Sequence, residues 1–206
     1  MRRGDERSEG LSVVSRTPED TGHFGGLLAP LLRAGDTVLL SGDLGAGKTT
    51  LVRGLARALG VQGPVTSPTF VLVHNYPTNA GFDLLHADIW RLEQLQEVID
   101  LAIAELVEDG AAAVIEWGER AAPAVAGDCL HIDIEFARLD SHSPEPAGHA
   151  GGGPAPAPPE AYGPQGARRL LLYASGPAWR GRLAQLEANV GSLDAMPAVS
   201  SPRARV

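Results

Sequence analysis

The chain has 206 residues, 44% of them hydrophobic, and a formal net charge of −8. That length suits one domain with some excess, and the acidic balance argues against this chain being the main nucleic-acid-binding surface. The single cysteine, Cys129, excludes an internal disulfide and fits a reducing cytoplasm. The charged start Met1-Arg2-Arg3-Gly4-Asp5-Glu6-Arg7 lacks the apolar core of a signal peptide, and no run reaches the ~20 apolar residues of a membrane helix.

Residues 1–10 read as a flexible polar tail. Thr17-Pro18-Glu19-Asp20 predicts a helix start, with Thr17 as N-cap, Pro18 in the first turn and two acids beside it. That helix is expected to reach about Leu32, weakened by Gly25 and Gly26, and to stop near Gly35. Thr37 to Ser41 reads as a short buried strand. Thr50 to Leu59 carries apolar residues at Leu51, Val52, Leu55, Ala58 and Leu59, a helical spacing that ends at Gly60. Phe70 to His74 and Leu84 to Trp90 read as strands. Leu92 to Leu106 is expected to be one helix with a stripe of Leu92, Leu95, Ile99, Ile103 and Leu106. Ala112 to Trp117 is an apolar run interrupted by Glu116. Leu130 to Phe136 alternates as a half-exposed strand, which makes Cys129, just before it, a buried strand residue rather than a nucleophile. Between Ser141 and Ala167, 27 residues include seven prolines and six glycines, so 141–167 is expected to be a disordered insertion within one domain spanning 11–190. Arg168 to Ala174 reads as a further strand and Ala178 to Leu186 as a short helix, followed by a flexible tail, 191–206.

Between the strand at Thr37 and the helix that follows lies Gly42-Asp43-Leu44-Gly45-Ala46-Gly47-Lys48-Thr49, which fits G-x-x-x-x-G-K-[ST]. Strand, glycine loop and helix is the context this phosphate-binding motif requires. Glycines let backbone N–H groups turn toward an anion, and the helix N-terminus adds unpaired donors and partial positive charge. Lys48 would reach the β- and γ-phosphates, and the Thr49 hydroxyl would ligate Mg²⁺. Hydrolysis needs a metal-holding or water-orienting acid as well. Glu116 closes an apolar strand in the manner of a Walker B acid, and Asp88 lies in His86-Ala87-Asp88. In a parallel sheet both would emerge at the carboxyl edge beside the loop. His86 shares a strand face with Asp88 and is expected to orient Asp88 or a loop, since no third ligand is spaced to complete a metal site. Ser67-Pro68-Thr69 reads either as a nucleotide-sensing switch segment or as a plain turn. Trp117 reads as packing over the site or capping a core edge, and Trp90 and Trp179 as packing residues. No N-K-x-D follows, which disfavours guanine. Arg53, Arg57, Arg91 and Arg120 are scattered rather than gathered in a kinase-like lid.

These blocks, Gly42 to Thr50, Ser67-Pro68-Thr69-Phe70, His86 to Leu92 and Ile115-Glu116-Trp117-Gly118-Glu119, taken in this order and spacing, resemble the bacterial tRNA threonylcarbamoyladenosine biosynthesis ATPases, the E subunit of that pathway. The resemblance covers about residues 11–136. One departure is Trp90, where the family commonly has Tyr. The fold expected is α/β, a P-loop NTPase-like three-layer sandwich with a mainly parallel sheet and an antiparallel C-terminal strand pair. The resemblance implies an ATPase, cofactors ATP and Mg²⁺, and partners consisting of the tRNA threonylcarbamoyl transferase subunit and its inactive paralogue. The tRNA would be met only through that complex, in the cytoplasm and away from membranes. It implies Thr49 and Glu116 as Mg²⁺ ligands, with Asp88 an active-site acid that also serves the metal, and Lys48 catalytic. Gly42 to Thr50, Ser67 and Thr69 would contact nucleotide, with Thr21 near the adenine. Two other functions fit the residues themselves: a stand-alone P-loop kinase for a small molecule, and a nucleotide-gated interaction module.

Overall fold

The computed structural model describes residues 10–68, 72–125, 127–137 and 166–191. The chain runs β1 (Leu11–Ser15), α1 (Pro18–Leu28), a 3₁₀ turn (Ala29–Leu31), β2 (Thr37–Ser41), α2 (Lys48–Ala58), β3 (Val73–Pro77) and β4 (Asp83–Asp88). It continues through α3 (Leu95–Ile99), α4 (Ile103–Glu108), β5 (Ala112–Glu116), α5 (Gly118–Ala121), β6 (Cys129–Phe136), β7 (Arg168–Ala174) and α6 (Pro177–Gly191). Residues 1–9, 192–206, Thr69 and most of 141–167 lie outside the described residues.

The seven strands of the described residues form one mixed sheet in the order β1-β7-β6-β2-β5-β4-β3. β6, β2, β5 and β4 are mutually parallel, while β3, β7 and β1 each pair antiparallel with their neighbours. Period-two alternation splits the apolar residues between the two faces. Val38, Leu40, Val114, Leu130, Ile132 and Ile134 face one core with residues of α1, α2 and α6. Leu39, Leu85, Ala87, Ala113 and Ile115 face the other with residues of α3, α4 and α5. β2 and β5 are buried on both faces, which explains why they read as continuous apolar runs.

α1 starts as its sequence predicts. Thr17 accepts the Asp20 N–H, and the Asp20 carboxylate accepts back from the Thr17 N–H, a reciprocal capping box. Gly25 and its neighbour weaken helix propensity, yet the packing requires small residues here. A Cβ on Gly25 would run into the Leu51 carbonyl oxygen, and one on Gly54 into the Gly22 carbonyl oxygen. α1 and α2 therefore meet backbone to backbone. At the other side of α1, Arg182 of α6 donates to both carboxylate oxygens of Asp36 and to the Leu31 carbonyl, and lies 3.8 Å over the Trp179 ring. Both charges are largely out of water, so removing one partner would strand the other at a cost of about 3–5 kcal/mol.

Two expectations need correction. The helix expected over Leu92 to Leu106 is two short helices, broken where Ala102 takes a left-handed backbone (φ 53°). The break rotates the apolar stripe. Leu92, Val98 and Ile103 are buried, whereas Leu95, Ile99 and Leu106 are exposed. The strand expected over Phe70 to His74 begins at Val73 and extends to Pro77 as an antiparallel edge on β4; Phe70 itself is outside the described residues. The edge strand β1 and the short α5 carry no strong periodic signal in the sequence.

Replacing Gly54 with alanine forces α1 and α2 apart. We expect Gly54→Ala to lower unfolding free energy by about 1–3 kcal/mol, read as an earlier urea midpoint; an unchanged midpoint would show that the two helices can separate freely.

Candidate functional site

The loop between β2 and α2 turns on glycines. Gly42 (φ 131°) passes so close to β6 that a Cβ would strike the Ile134 carbonyl oxygen. Gly47 (φ 114°) precedes α2 and supplies no side-chain cap, which leaves first-turn N–H groups of α2 free to meet an anion. Lys48 is buried at 5% exposure. Its ammonium donates to the Gly42 carbonyl at 2.6 Å and the Asp43 carbonyl at 3.0 Å, and lies 3.9 Å over the Trp117 ring. Burial pulls this amine below its ordinary value, against the opposing influence of Glu116, Glu119, Asp88 and Asp43.

The two acids stand directly opposite each other, because β4 and β5 pair in parallel with Asp88 against Glu116. The Thr49 hydroxyl donates to Glu116 Oε1 at 2.8 Å, and His86 Nε2 lies 2.8 Å from the same oxygen. Ser67 donates to Asp88 Oδ2 at 2.6 Å, and the Trp90 N–H donates to Asp88 Oδ1 at 3.1 Å. Leu44 to Thr50, Ser67, Asp88 and Glu116 line one cleft of about 450 Å³, together with Trp90, Arg91 and Trp117. Gly42 and Asp43 contribute through the carbonyls that hold Lys48. Thr21 is placed differently. It lies behind the loop, where a Cβ on Gly47 would come within 3.5 Å of its methyl group, and its hydroxyl pairs with that of Ser15 at 2.7 Å. Thr69 lies outside the described residues.

His86 departs from expectation: its partner is Glu116 on the neighbouring strand, not Asp88 on its own. The face is the predicted one, but a diagonal neighbour in the next strand is closer in reach than the residue two positions along. Trp90, expected to pack, is 46% exposed at the cleft and rests on Trp117 with ring centroids 4.4 Å apart. Trp117 follows Glu116 with a left-handed backbone (φ 66°), a conformation that costs on the order of 1 kcal/mol for a residue with a Cβ. That turn carries its ring over Lys48. Arg120 reaches back to the carbonyls of Trp90 and Leu92. Sequence reasoning missed Arg168 altogether. From β7 it donates to the Ala46 carbonyl at 2.9 Å and the Gly45 carbonyl at 3.2 Å, and its guanidinium stacks 4.2 Å from the Phe136 ring. Nothing local marks it, since 122 residues separate it from Ala46.

Among the described residues, no three His, Cys, Asp or Glu side chains gather into a metal-binding group. The hydroxyl and carboxylate of Thr49 and Glu116 are hard oxygen donors. Such a sparse set suits Mg²⁺, which keeps water and phosphate oxygens in its remaining positions. The Thr49 hydrogen is already committed to Glu116, so the hydroxyl lone pairs are the part left to meet a cation. The donor chemistry and the glycine cradle therefore fit a magnesium–nucleotide site. Among the described residues, no helix is long and apolar enough to cross a membrane.

Comparison with known proteins adds an independent line. A family model described as threonylcarbamoyl adenosine biosynthesis protein TsaE matches residues 15–143. A protein of Streptomyces coelicolor named tRNA threonylcarbamoyladenosine biosynthesis protein TsaE is 49% identical over 120 residues, covering 57% of this chain and 80% of its own. Proteins of the same name from Treponema pallidum (44% over 112 residues, covering 54% and 82%) and Mycobacterium tuberculosis (43% over 142 residues, covering 65% and 82%) are similar too. The crystal structure of Bacillus subtilis YdiB superposes with a TM-score of 0.60 over 90% of this chain and 97% of that one, at 24% identity, a likeness of fold alone. With well over half of its length matched by the family model, and with the glycine loop and both acids inside the matched span, the chain belongs to the TsaE family.

Proposed function

We propose that this protein is a Mg-ATP-binding ATPase subunit that supports threonylcarbamoyladenosine modification of tRNA, at the adenosine beside the anticodon, by acting on a transferase subunit and its inactive paralogue. The relatives' names supply the pathway. The observation that carries the ATPase reading is the Thr49–Glu116 hydrogen bond at the N-terminus of α2, in one cleft with Lys48 and Asp88. We read the fold as a P-loop NTPase-like three-layer sandwich acting in the cytoplasm. The charge of −8 fits a subunit whose partners, rather than itself, grip the tRNA.

In this reading the triphosphate lies along Gly42 to Thr50, against the free N–H groups of α2 and the Lys48 ammonium. Lys48 must then leave the carbonyls of Gly42 and Asp43 and turn its hydrogens to the phosphates. Thr49 and Glu116 would hold Mg²⁺, which when bound supplies neutralising charge to the β- and γ-phosphates. Asp88, kept in place by Ser67 and the Trp90 N–H, would orient the attacking water. Ser67 sits at the start of the Ser67-Pro68-Thr69 segment, so its grip on Asp88 gives that segment a direct link to the reacting centre. Thr21 would act on the adenine side only indirectly, through its packing behind Gly47.

Two measurements test this. Lys48→Ala should weaken ATP binding at least about tenfold by calorimetry, the loss expected for a charge-assisted phosphate contact; unchanged affinity would count against the loop as the nucleotide site. With the transferase pair present, Glu116→Gln should lower ATP turnover about 100-fold, equivalent to about 2.7 kcal/mol of transition-state stabilisation. Equal turnover would remove Glu116 from the catalytic machinery, and phosphorylation of a small acceptor without need of the pair would point to a kinase instead.

A further inference from the structure

We propose that His86 is a positioning residue whose Nε2–H fixes the Glu116 carboxylate for metal holding, an assignment that rests on the reading of Glu116 as a magnesium ligand. His86 has no exposed surface and lies on the face of β4 that looks toward α2. An ionised carboxylate only accepts, so the 2.8 Å contact to Glu116 Oε1 places the ring hydrogen on Nε2. The other ring nitrogen, Nδ1, is buried and has no hydrogen-bond partner among the described residues. A hydrogen there would be a buried donor without an acceptor, the costly arrangement, whereas a bare lone pair is tolerable. Nε2 is therefore the ring nitrogen that donates, and it donates toward Glu116.

The effect on Glu116 follows from geometry. The terminal torsion of a glutamate is soft and roughly two-fold, so a single hydrogen bond leaves the carboxylate free to swing. Here two donors from two different elements, Thr49 of α2 and His86 of β4, converge on Oε1. Among the described residues no hydrogen bond reaches Oε2, so the fixed oxygen serves the protein and the second is kept for the ligand. A histidine that only filled core volume would need no such convergence, and its replacement by an isosteric apolar group would leave the carboxylate's behaviour toward a cation unchanged. Outer hydrogen bonds of this kind typically alter metal affinity by roughly 10–100-fold.

The test separates metal from nucleotide. ADP binding is measured by calorimetry with Mg²⁺ and with EDTA for wild type, His86→Gln, His86→Asn and His86→Leu, each checked by thermal melting. Gln presents an N–H near the imidazole Nε2 position, while Asn is one methylene too short and Leu has no donor. Wild type and His86→Gln should share the gain in affinity that Mg²⁺ brings; His86→Asn and His86→Leu should lose about tenfold of it, and all four should bind ADP alike in EDTA. Should His86→Leu melt early, the Gln and Asn pair decides. Retention of the magnesium gain by His86→Asn, or an equal loss in EDTA, would overturn the positioning role. If wild type itself shows no magnesium gain, the Thr49–Glu116 assignment falls, and this proposal with it.

Discussion

Glu116 ends a strand buried on both faces and is itself only 3% exposed. A carboxylate in that position is tolerable only if hydrogen bonds replace the water it has lost. Much of the surrounding architecture can be read as meeting that demand. The parallel register of β4 against β5 brings His86 within reach and sets Asp88 directly across. α2 begins where the Thr49 hydroxyl can donate to the same oxygen. Lys48 supplies positive charge nearby, and Glu116 leads the carboxylates that oppose the effect of burial on the Lys48 ammonium.

The loop is held by parts of the chain that are remote in sequence. α1 reaches it through Thr21 and the backbone contact between α1 and α2, where Gly25 and Gly54 remove the Cβ atoms that would separate them. β7 reaches it through Arg168, whose hydrogen bonds to Gly45 and Ala46 hold two loop carbonyls. A planar trans peptide points its N–H opposite to its C=O, so pinning the Ala46 carbonyl sets the direction of the Gly47 N–H. β7 in turn is locked between β1 and β6. The C-terminal strands thus take part in shaping the phosphate loop as well as extending the sheet.

How much of this was legible follows from the range of each interaction. The capping box at Thr17 and Asp20 is local and was readable from four residues. The burial of β2 and β5 follows from their short apolar runs, Val38 to Leu40 and Ala112 to Ile115. The apolar spacing over Leu92 to Leu106 is regular and predicts one helix, while the left-handed Ala102 that breaks it is an alanine and carries no breaker signal. β1 carries no signal of its own because Leu11–Ser15 is short and its apolar residues, Leu11, Val13 and Val14, break strict alternation; pairing with β7 makes it a strand. Gly25 and Gly26 looked like weaknesses of a helix, and the partner helix that turns Gly25 into a packing requirement lies elsewhere in the chain.

The amino-acid sequence alone determined the chemistry available: a glycine loop with Lys48 and Thr49, two acids ending apolar strands, and an order of blocks specific enough to place the family. Each of those features is encoded within a few consecutive residues, by backbone freedom, charge and period. Tertiary structure decided the pairings: His86 with Glu116 instead of Asp88, Trp117 over Lys48, and Arg168 on the loop across 122 residues. Each of these depends on strand register and on which helix a strand meets. Register and docking are set by the summed burial of both cores, which no local stretch of sequence contains.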